Sequence, residues 1–179
     1  DTLLVYDAII INNEKIGNCR YSDVTVFSFH PVKIITTGEG GAALTNDSSL
    51  KKRMTLLRNH GVTKNEKEMI NKIDGPWYYE QQILGYNFRM TDIQGALGIS
   101  QLSRIKSNIA KRKKIATIYN ELLSDLPVLR PMFDPDSAFH LYVIRLKTNL
   151  IKHTHLEVFN FLRKKGIGVN LHYIPIYKH

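Results

Sequence analysis

Residues 24–45 constrain the fold more tightly than any other stretch of this 179-residue chain. Val24-Thr25-Val26-Phe27-Ser28-Phe29 is dense in β-branched and aromatic residues and reads as a strand. His30-Pro31 ends it, because proline cannot donate to a central ladder. Thr36-Thr37-Gly38-Glu39-Gly40-Gly41 is a tight, glycine-rich turn, and residues 42–45 form a second short strand. Lys33 therefore sits just past a strand, on backbone stiffened by proline and framed by glycines. An ammonium partly removed from water there gives up its proton more easily, and a neutral amine can attack an aldehyde to form a Schiff base. Ser28, five residues earlier, could hold a phosphate with its hydroxyl. On residue chemistry alone, a surface lysine after a strand and an ordinary strand serine are the favoured readings.

The rest of the chain alternates in type. Asn46-Asp47-Ser48 predicts a helix N-cap, Leu50, Met54 and Leu57 supply one apolar face, and Gly61 ends that helix. Residues 62–86 form a long loop carrying Asp74-Gly75-Pro76-Trp77-Tyr78-Tyr79, and long loops in compact domains are usually functional or disordered. Thr91-Asp92 caps a helical pattern of about thirty residues, marked by Ile93, Leu97, Leu102, Ile105, Ile109, Ile115 and Ile118, with room for a kink. A proline-bearing linker from Leu126 to Asp136 leads to a smaller αβ unit. That unit has strands over 140–146 and 168–173 and a helix over 155–164, ended by Gly166.

Composition narrows the class. The 43% hydrophobic content is that of a globular domain, and the single cysteine, Cys19, excludes an internal disulfide framework. No apolar run approaches a membrane span, so a soluble, cytoplasmic chain is expected. The net charge of +9 suits phosphorylated small molecules as well as nucleic acid. Lys111-Arg112-Lys113-Lys114 lies inside a helical pattern and reads as a solvated face, and no nucleic-acid motif accompanies it. Both ends stop in mid-pattern, so a piece of a longer chain is expected.

Several ordered motifs together resemble the DegT/StrS family of sugar aminotransferases, which depend on pyridoxal 5′-phosphate (PLP). They are Ser22 through Lys33, Ile34 through Gly41, Arg58-Asn59-His60-Gly61, Gly75-Pro76-Trp77-Tyr78-Tyr79-Glu80-Gln81-Gln82 and Leu84 through Gln94. His140-Leu141-Tyr142-Val143-Ile144-Arg145 and His172-Tyr173-Ile174-Pro175-Ile176-Tyr177 continue the match. The Trp-Tyr-Tyr loop is most similar to the branch that aminates a UDP-linked 4-keto-6-deoxy-N-acetylhexosamine in pseudaminic acid synthesis. The resemblance implies an α/β chain that is part of a fold-type-I PLP-dependent transferase. Residues 1–90 would belong to the late part of the large domain, 91–125 to the long connecting helix and 126–179 to an incomplete small αβ domain.

The same resemblance implies site roles. Lys33 would carry PLP and move protons, Ser28 would bind its phosphate, and Asn87 would reach the phosphate of a neighbouring subunit's cofactor in a homodimer. Glutamate would be the amino donor and a nucleotide-linked 4-keto-6-deoxy sugar the acceptor. Trp77, Tyr78, Arg89, His140 and His172 are candidate substrate contacts, while His30 would support the turn. Arg89 could instead tie its loop to Asp92. Family members pair an upstream aspartate with the pyridine nitrogen. Asp1 lies at about the right distance, although Thr2-Leu3-Leu4-Val5-Tyr6 replaces the usual neighbours, and Asp7-Ala8 lies too close to Lys33. The family's N-terminal half is not in this sequence, so the isolated chain is expected to bind PLP poorly. Two alternatives are a remnant that at most dimerises and a dehydratase; dehydrating relatives resemble this pattern with histidine at the lysine position.

Overall fold

A computed structural model describes residues 10–11 and 14–178. Asp1 and Asp7 therefore lie outside the described residues. The chain divides into two compact units, Asp1–Asn108 and Ile109–His179. The first unit opens with β1 (Ile10–Ile11), which pairs antiparallel with β2 (Glu14–Lys15), and continues with β3 (Thr25–Ser28) paired to β4 (Gly41–Leu44). Next come α1 (Ser48–Arg58), β5 (Val62–Thr63) and β6 (Glu80–Gln81), the last two forming an antiparallel pair, and then α2 (Asp92–Ser103). α3 (Ile105–Leu122) carries the chain into the second unit, where β7 (Val128–Leu129) pairs antiparallel with β8 (Arg145–Leu146) and α4 (His155–Lys164) follows.

The β3–β4 hairpin forms where the sequence predicts it, in the register Thr25↔Leu44 through Ser28↔Gly41. Thr25 and Phe27 are half-buried while Val26 and Ser28 are exposed, the alternation of a strand with one covered face. Beyond Ser28 the two arms stay joined. The Phe29 N–H donates to the Gly40 carbonyl at 2.9 Å, and the Phe29 carbonyl accepts from the Thr37 N–H at 3.0 Å and the Thr36 hydroxyl at 2.9 Å. The Lys33 N–H donates to the His30 carbonyl at 2.9 Å, folding the intervening residues into a turn. Gly40, at φ +150°, is required here, because a Cβ would stand 2.4 Å from Thr37 Oγ1 and 3.0 Å from Met90 Cε.

Helix α1 starts at Asp47, whose Oδ1 accepts from the Ser49 N–H at 2.7 Å, the Leu50 N–H at 3.0 Å and the Ser49 hydroxyl at 2.7 Å. Past its C-terminus the Gly61 N–H returns to the Leu56 carbonyl at 2.7 Å. Residues 86–88 are pinned to this end. The Tyr86 N–H donates to Leu57, the Phe88 N–H to Arg58 and the His60 N–H to Tyr86, with an Asn59↔Asn87 bridge between them.

The single long helix expected after Thr91 is two helices. Arg104 leaves the helical path (φ −104°, ψ 0°). The Ser103 hydroxyl and the Arg104 guanidinium both donate to the Ser100 carbonyl, at 2.9 and 3.2 Å. Such side-chain competition for a helical carbonyl bends or breaks a helix. Among the described residues, no helix is long and apolar enough to cross a membrane.

In the second unit Ile109, Ala116, Ala138 and Phe139 are buried, and the Phe139 ring lies 5.1 Å from that of Phe133. Strand 140–146 is shorter than expected, with only Arg145–Leu146 paired. The Arg112 guanidinium takes the carbonyls of Phe139 and His140 at 3.2 and 3.3 Å, so these groups are satisfied without a ladder. Residues 168–173 make no ladder among the described residues; the Val169 carbonyl accepts from Arg163 instead. Helix α4 matches its expected bounds, with a Thr154–Glu157 capping box and Gly166 at φ +80° after its end.

Two predictions follow from these local locks. Gly40→Ala should lower stability by about 2 kcal/mol or more in urea unfolding, against about 1 kcal/mol for Gly38→Ala, because Gly38 (φ +81°) has no atom within 4 Å of a built Cβ and carries only backbone strain. Hydrogen bonding from the Ser49 hydroxyl, then from the Leu50 and Ser49 amides, holds the Asp47 carboxyl below its usual range. A depressed folded value means that this cap stabilises above about pH 4, the ordinary carboxylate value, and fades as pH falls through the lowered one. Exchange of the Ser49 and Leu50 amides should accelerate over that acid window, and Asp47→Asn should flatten the dependence.

Candidate active site

Ser28, His30 and Lys33 all stand at the closed end of the β3–β4 hairpin. β3 delivers Ser28 on its exposed face, where the hydroxyl oxygen accepts a long bond from the His30 N–H at 3.4 Å. Among the described residues that hydroxyl proton has no acceptor, so it is available to an anion. His30 Nδ1 accepts from the Val32 N–H at 3.5 Å, and Nε2 lies 3.8 Å from a Glu39 carboxylate oxygen, an exposed pair. This gives His30 the turn-supporting position expected of it. Lys33 is half-buried, and among the described residues its ammonium has no hydrogen-bond or ion-pair partner.

The loop bearing Lys33 is fastened to α2 as well as to its own base. Buried Thr37, 3% exposed, donates its hydroxyl to the Glu39 carbonyl at 2.7 Å and places its methyl 3.0 Å from where a Gly98 Cβ would stand. Gln94 Nε2 donates to the same Glu39 carbonyl at 2.9 Å, while Gln94 Oε1 accepts from the Thr91 N–H at 2.8 Å in a capping box. One side chain thus caps α2 and anchors the glycine turn. Thr91 was legible as a cap. Thr37 and Gln94 carried no comparable sign of a role at the lysine loop, although the Thr-x-x-Gln spacing could have suggested the box.

Asn87 and Arg89 lie on the segment pinned to the end of α1, whose continuation places Met90 against Gly40. The Asn87 side chain is exposed. Arg89 does not reach for Asp92; its Nη1 donates to Asn59 Oδ1 at 2.7 Å, next to the Asn59↔Asn87 backbone bridge. Trp77 is 70% exposed, Tyr79 is exposed and Tyr78 is half-buried. The two other candidate histidines lie in the second unit. His140 is buried beneath the Arg112 contact, and His172 is exposed with its ring edge-on to Tyr173 at 4.3 Å.

The groups at the hairpin end suit PLP by their chemistry. An amine without a carboxylate partner matches an aldehyde, and a hydroxyl with an unused proton matches a phosphate. The turn beside Gly38 is open, since a Cβ there would meet nothing within 4 Å.

Comparison with known proteins shows the family to which the chain belongs. Residues 9–179 match the family model described as the DegT/DnrJ/EryC1/StrS aminotransferase family. A UDP-4-amino-4,6-dideoxy-N-acetyl-beta-L-altrosamine transaminase of Helicobacter pylori is 37% identical over 172 residues, covering 93% of this chain and 42% of its own. The solved Helicobacter pylori aminotransferase of pseudoaminic acid biosynthesis superposes with a TM-score of 0.84 at 35% identity, covering 97% of this chain and 45% of that one. A Streptococcus pneumoniae protein described as a sugar aminotransferase, solved in its PLP form, gives a TM-score of 0.74 at 30% identity over 91% of this chain and 40% of that one. The chain spans about two fifths of the length of the curated relative it matches (42%). Its fold is part of the PLP-dependent sugar aminotransferase fold, and the chain belongs to the DegT/DnrJ/EryC1/StrS aminotransferase family.

Proposed function

We propose that this chain carries the lysine-bearing part of a PLP-dependent enzyme that moves an amino group from glutamate to a nucleotide-linked 4-keto-6-deoxy sugar. The observation that supports it best is Lys33 itself, a half-buried amine without a partner among the described residues, on a loop fastened at both ends and five residues after Ser28, whose hydroxyl proton has no acceptor among them. When bound, PLP supplies an electron sink for the carbanion formed at the substrate carbon. Lys33 would hold the cofactor through its Nζ, and the same amine, when free, would take and return the proton at the substrate carbon. One flexible side chain on a rigid loop can serve both directions, because its base stays fixed while its amine moves.

The Ser28 hydroxyl donates to the cofactor phosphate. Asn87 offers its exposed amide to the phosphate of a neighbouring subunit's cofactor, which makes the active protein a homodimer. Arg89, with only Nη1 engaged by Asn59, keeps further N–H groups to offset phosphate charge. Trp77 and Tyr78 contact the nucleotide or the sugar, and His140 and His172 are the second unit's candidates for sugar contact. Asp1, outside the described residues, is the candidate that would pair with the pyridine nitrogen. The UDP-linked 4-keto-6-deoxy-N-acetylhexosamine used by the pseudaminic acid branch is the favoured acceptor, and the cytoplasm, where sugar nucleotides are made, is the favoured location. Lysine at position 33 weighs against dehydration, for which related proteins carry histidine at this point.

Reductive trapping tests the central assignment. The 179-residue chain is incubated with PLP, reduced with borohydride and digested, and the modified lysines are mapped. Because the isolated chain is expected to bind PLP poorly, PLP is supplied in excess, and the expected result is modification of Lys33 above that of any other lysine, absent from Lys33→Ala. Equal modification of the exposed Lys111 and Lys114 would remove the basis for assigning Lys33.

A further inference from the structure

The loop over residues 64–79, which carries Trp77, is held by a carboxylate that the proposed chemistry does not use. Its base is the β5–β6 ladder, Thr63↔Glu80 and Val62↔Gln81. Glu80 is buried, 9% exposed. Its Oε2 accepts from the Ile70 N–H at 2.8 Å and the Asn71 N–H at 3.3 Å, and its Oε1 accepts from Asn71 Nδ2 at 3.2 Å. Three N–H donors on one buried carboxylate form a charge-assisted clamp, and a buried charge stripped of such partners is costly. Apolar packing does not hold this point, because Ile70 is 83% exposed. The near arm of the loop is fixed separately. The Thr63 hydroxyl donates to Glu68 Oε2 at 3.1 Å, and Lys52 on α1 pairs with Glu68 at 3.1 Å.

The clamp leaves residues 72–79 as a short outer arm with both ends fixed. Within it the Tyr78 N–H donates to the Gly75 carbonyl at 3.0 Å, and the Trp77 indole lies over Gly75. A Cβ at Gly75 would fall 2.5 Å from the indole ring. The indole is thereby set in place while remaining 70% exposed.

We propose that Glu80 is a positioning residue for substrate. By clamping Ile70 and Asn71 it holds the outer arm so that the Trp77 indole, seated on Gly75, is a preformed stacking surface for the base of the nucleotide sugar. The inference rests on the reading that Trp77 contacts substrate. A rigid aromatic platform costs less ordering on binding than one that must first be immobilised, so its affinity depends on the clamp.

Trp77 is the only tryptophan in the sequence, so its emission reports on the platform without labelling. The 179-residue chain is titrated with UDP-N-acetylglucosamine while Trp77 quenching and anisotropy are read, and amide exchange is followed at Ile70 and Asn71. Glu80→Gln removes the charge from the clamp, and its NH2 finds an acceptor only if the Asn71 side-chain amide turns over. Exchange at Ile70 and Asn71 should rise by about tenfold or more. Trp77 anisotropy should fall and half-saturation rise by about fivefold or more, with far-UV circular dichroism unchanged. Gly75→Ala, which unseats the indole without touching the clamp, should reproduce the affinity loss while exchange at Ile70 and Asn71 stays at wild-type rates. Asn71→Ala weakens the clamp from its other side and stands in if Glu80→Gln does not fold. A clamp that opens in either variant with anisotropy and half-saturation unchanged overturns the positioning role. Absence of Trp77 quenching in the wild-type chain overturns the substrate reading beneath it, whatever the exchange rates show.

Discussion

The carbonyl oxygen of Phe29 accepts two hydrogen bonds, one from the Thr37 amide and one from the Thr36 hydroxyl, and the geometry of the lysine loop depends on it. Seven residues separate Phe29 from Thr37, and the oxygen closes the span between them. With Phe29 N–H bonded to Gly40, both polar groups of one residue are spent on holding the two arms together past the end of the ladder. Lys33 sits midway round the closed span. The hairpin therefore presents its amine from a fixed base, and only the side chain's own rotations remain to carry it between positions.

That way of building recurs through the first unit. Among its described residues the buried positions are Thr37, Gly61, Thr63, Glu80 and Gly98, either glycines or hydrogen-bonded polar side chains. Some of its large apolar groups are exposed, Leu84 at 86% and Ile93 at 84% among them, while Phe27, Leu56 and Leu57 are half-buried. Polar locks and close backbone approaches fix the lysine loop itself. At Gly61 a Cβ would fall 1.7 Å from the Ile83 carbonyl, and at Gly85 2.2 Å from the Gly61 nitrogen, so these chains meet where no side chain fits. Such contacts are individually modest, but a lost one leaves a desolvated group behind, which gives each lock more weight than its length suggests.

Elements whose signals are local were legible in the sequence. The β3–β4 hairpin, α1 behind Asp47 and α4 ahead of Gly166 all follow from strand composition, capping residues and glycine stops acting within a few positions. So was the assembly of Ser28, His30 and Lys33 at one hairpin end, because a proline and a glycine run bracket it. What stayed hidden depends on partners distant in sequence. The strand expected from His140 is shortened where Arg112, on another element, takes the carbonyls of His140 and of Phe139 before it. The long helix divides because Ser103 and Arg104 both turn to Ser100, a choice that apolar spacing does not record. Arg89 bonds Asn59, thirty residues away, and not the nearby Asp92, because the two strands of chain are brought together only in the fold. Glu80 gave no sign of its clamp, since a glutamate beside an aromatic run looks the same whether it faces water or the amides of Ile70 and Asn71.

The amide of Thr37 is the most direct place to examine the lysine loop's foundation. Its hydrogen is bonded to the Phe29 carbonyl within a residue only 3% exposed, one step from the exposed Gly38. Native-state hydrogen exchange of the 179-residue chain should find the Thr37 amide slower than an unstructured chain by about a hundredfold or more, and slower than that of Gly38. Exchange of Thr37 at the rate of an open loop would mean that Phe29 does not close the span and that Lys33 has no fixed base.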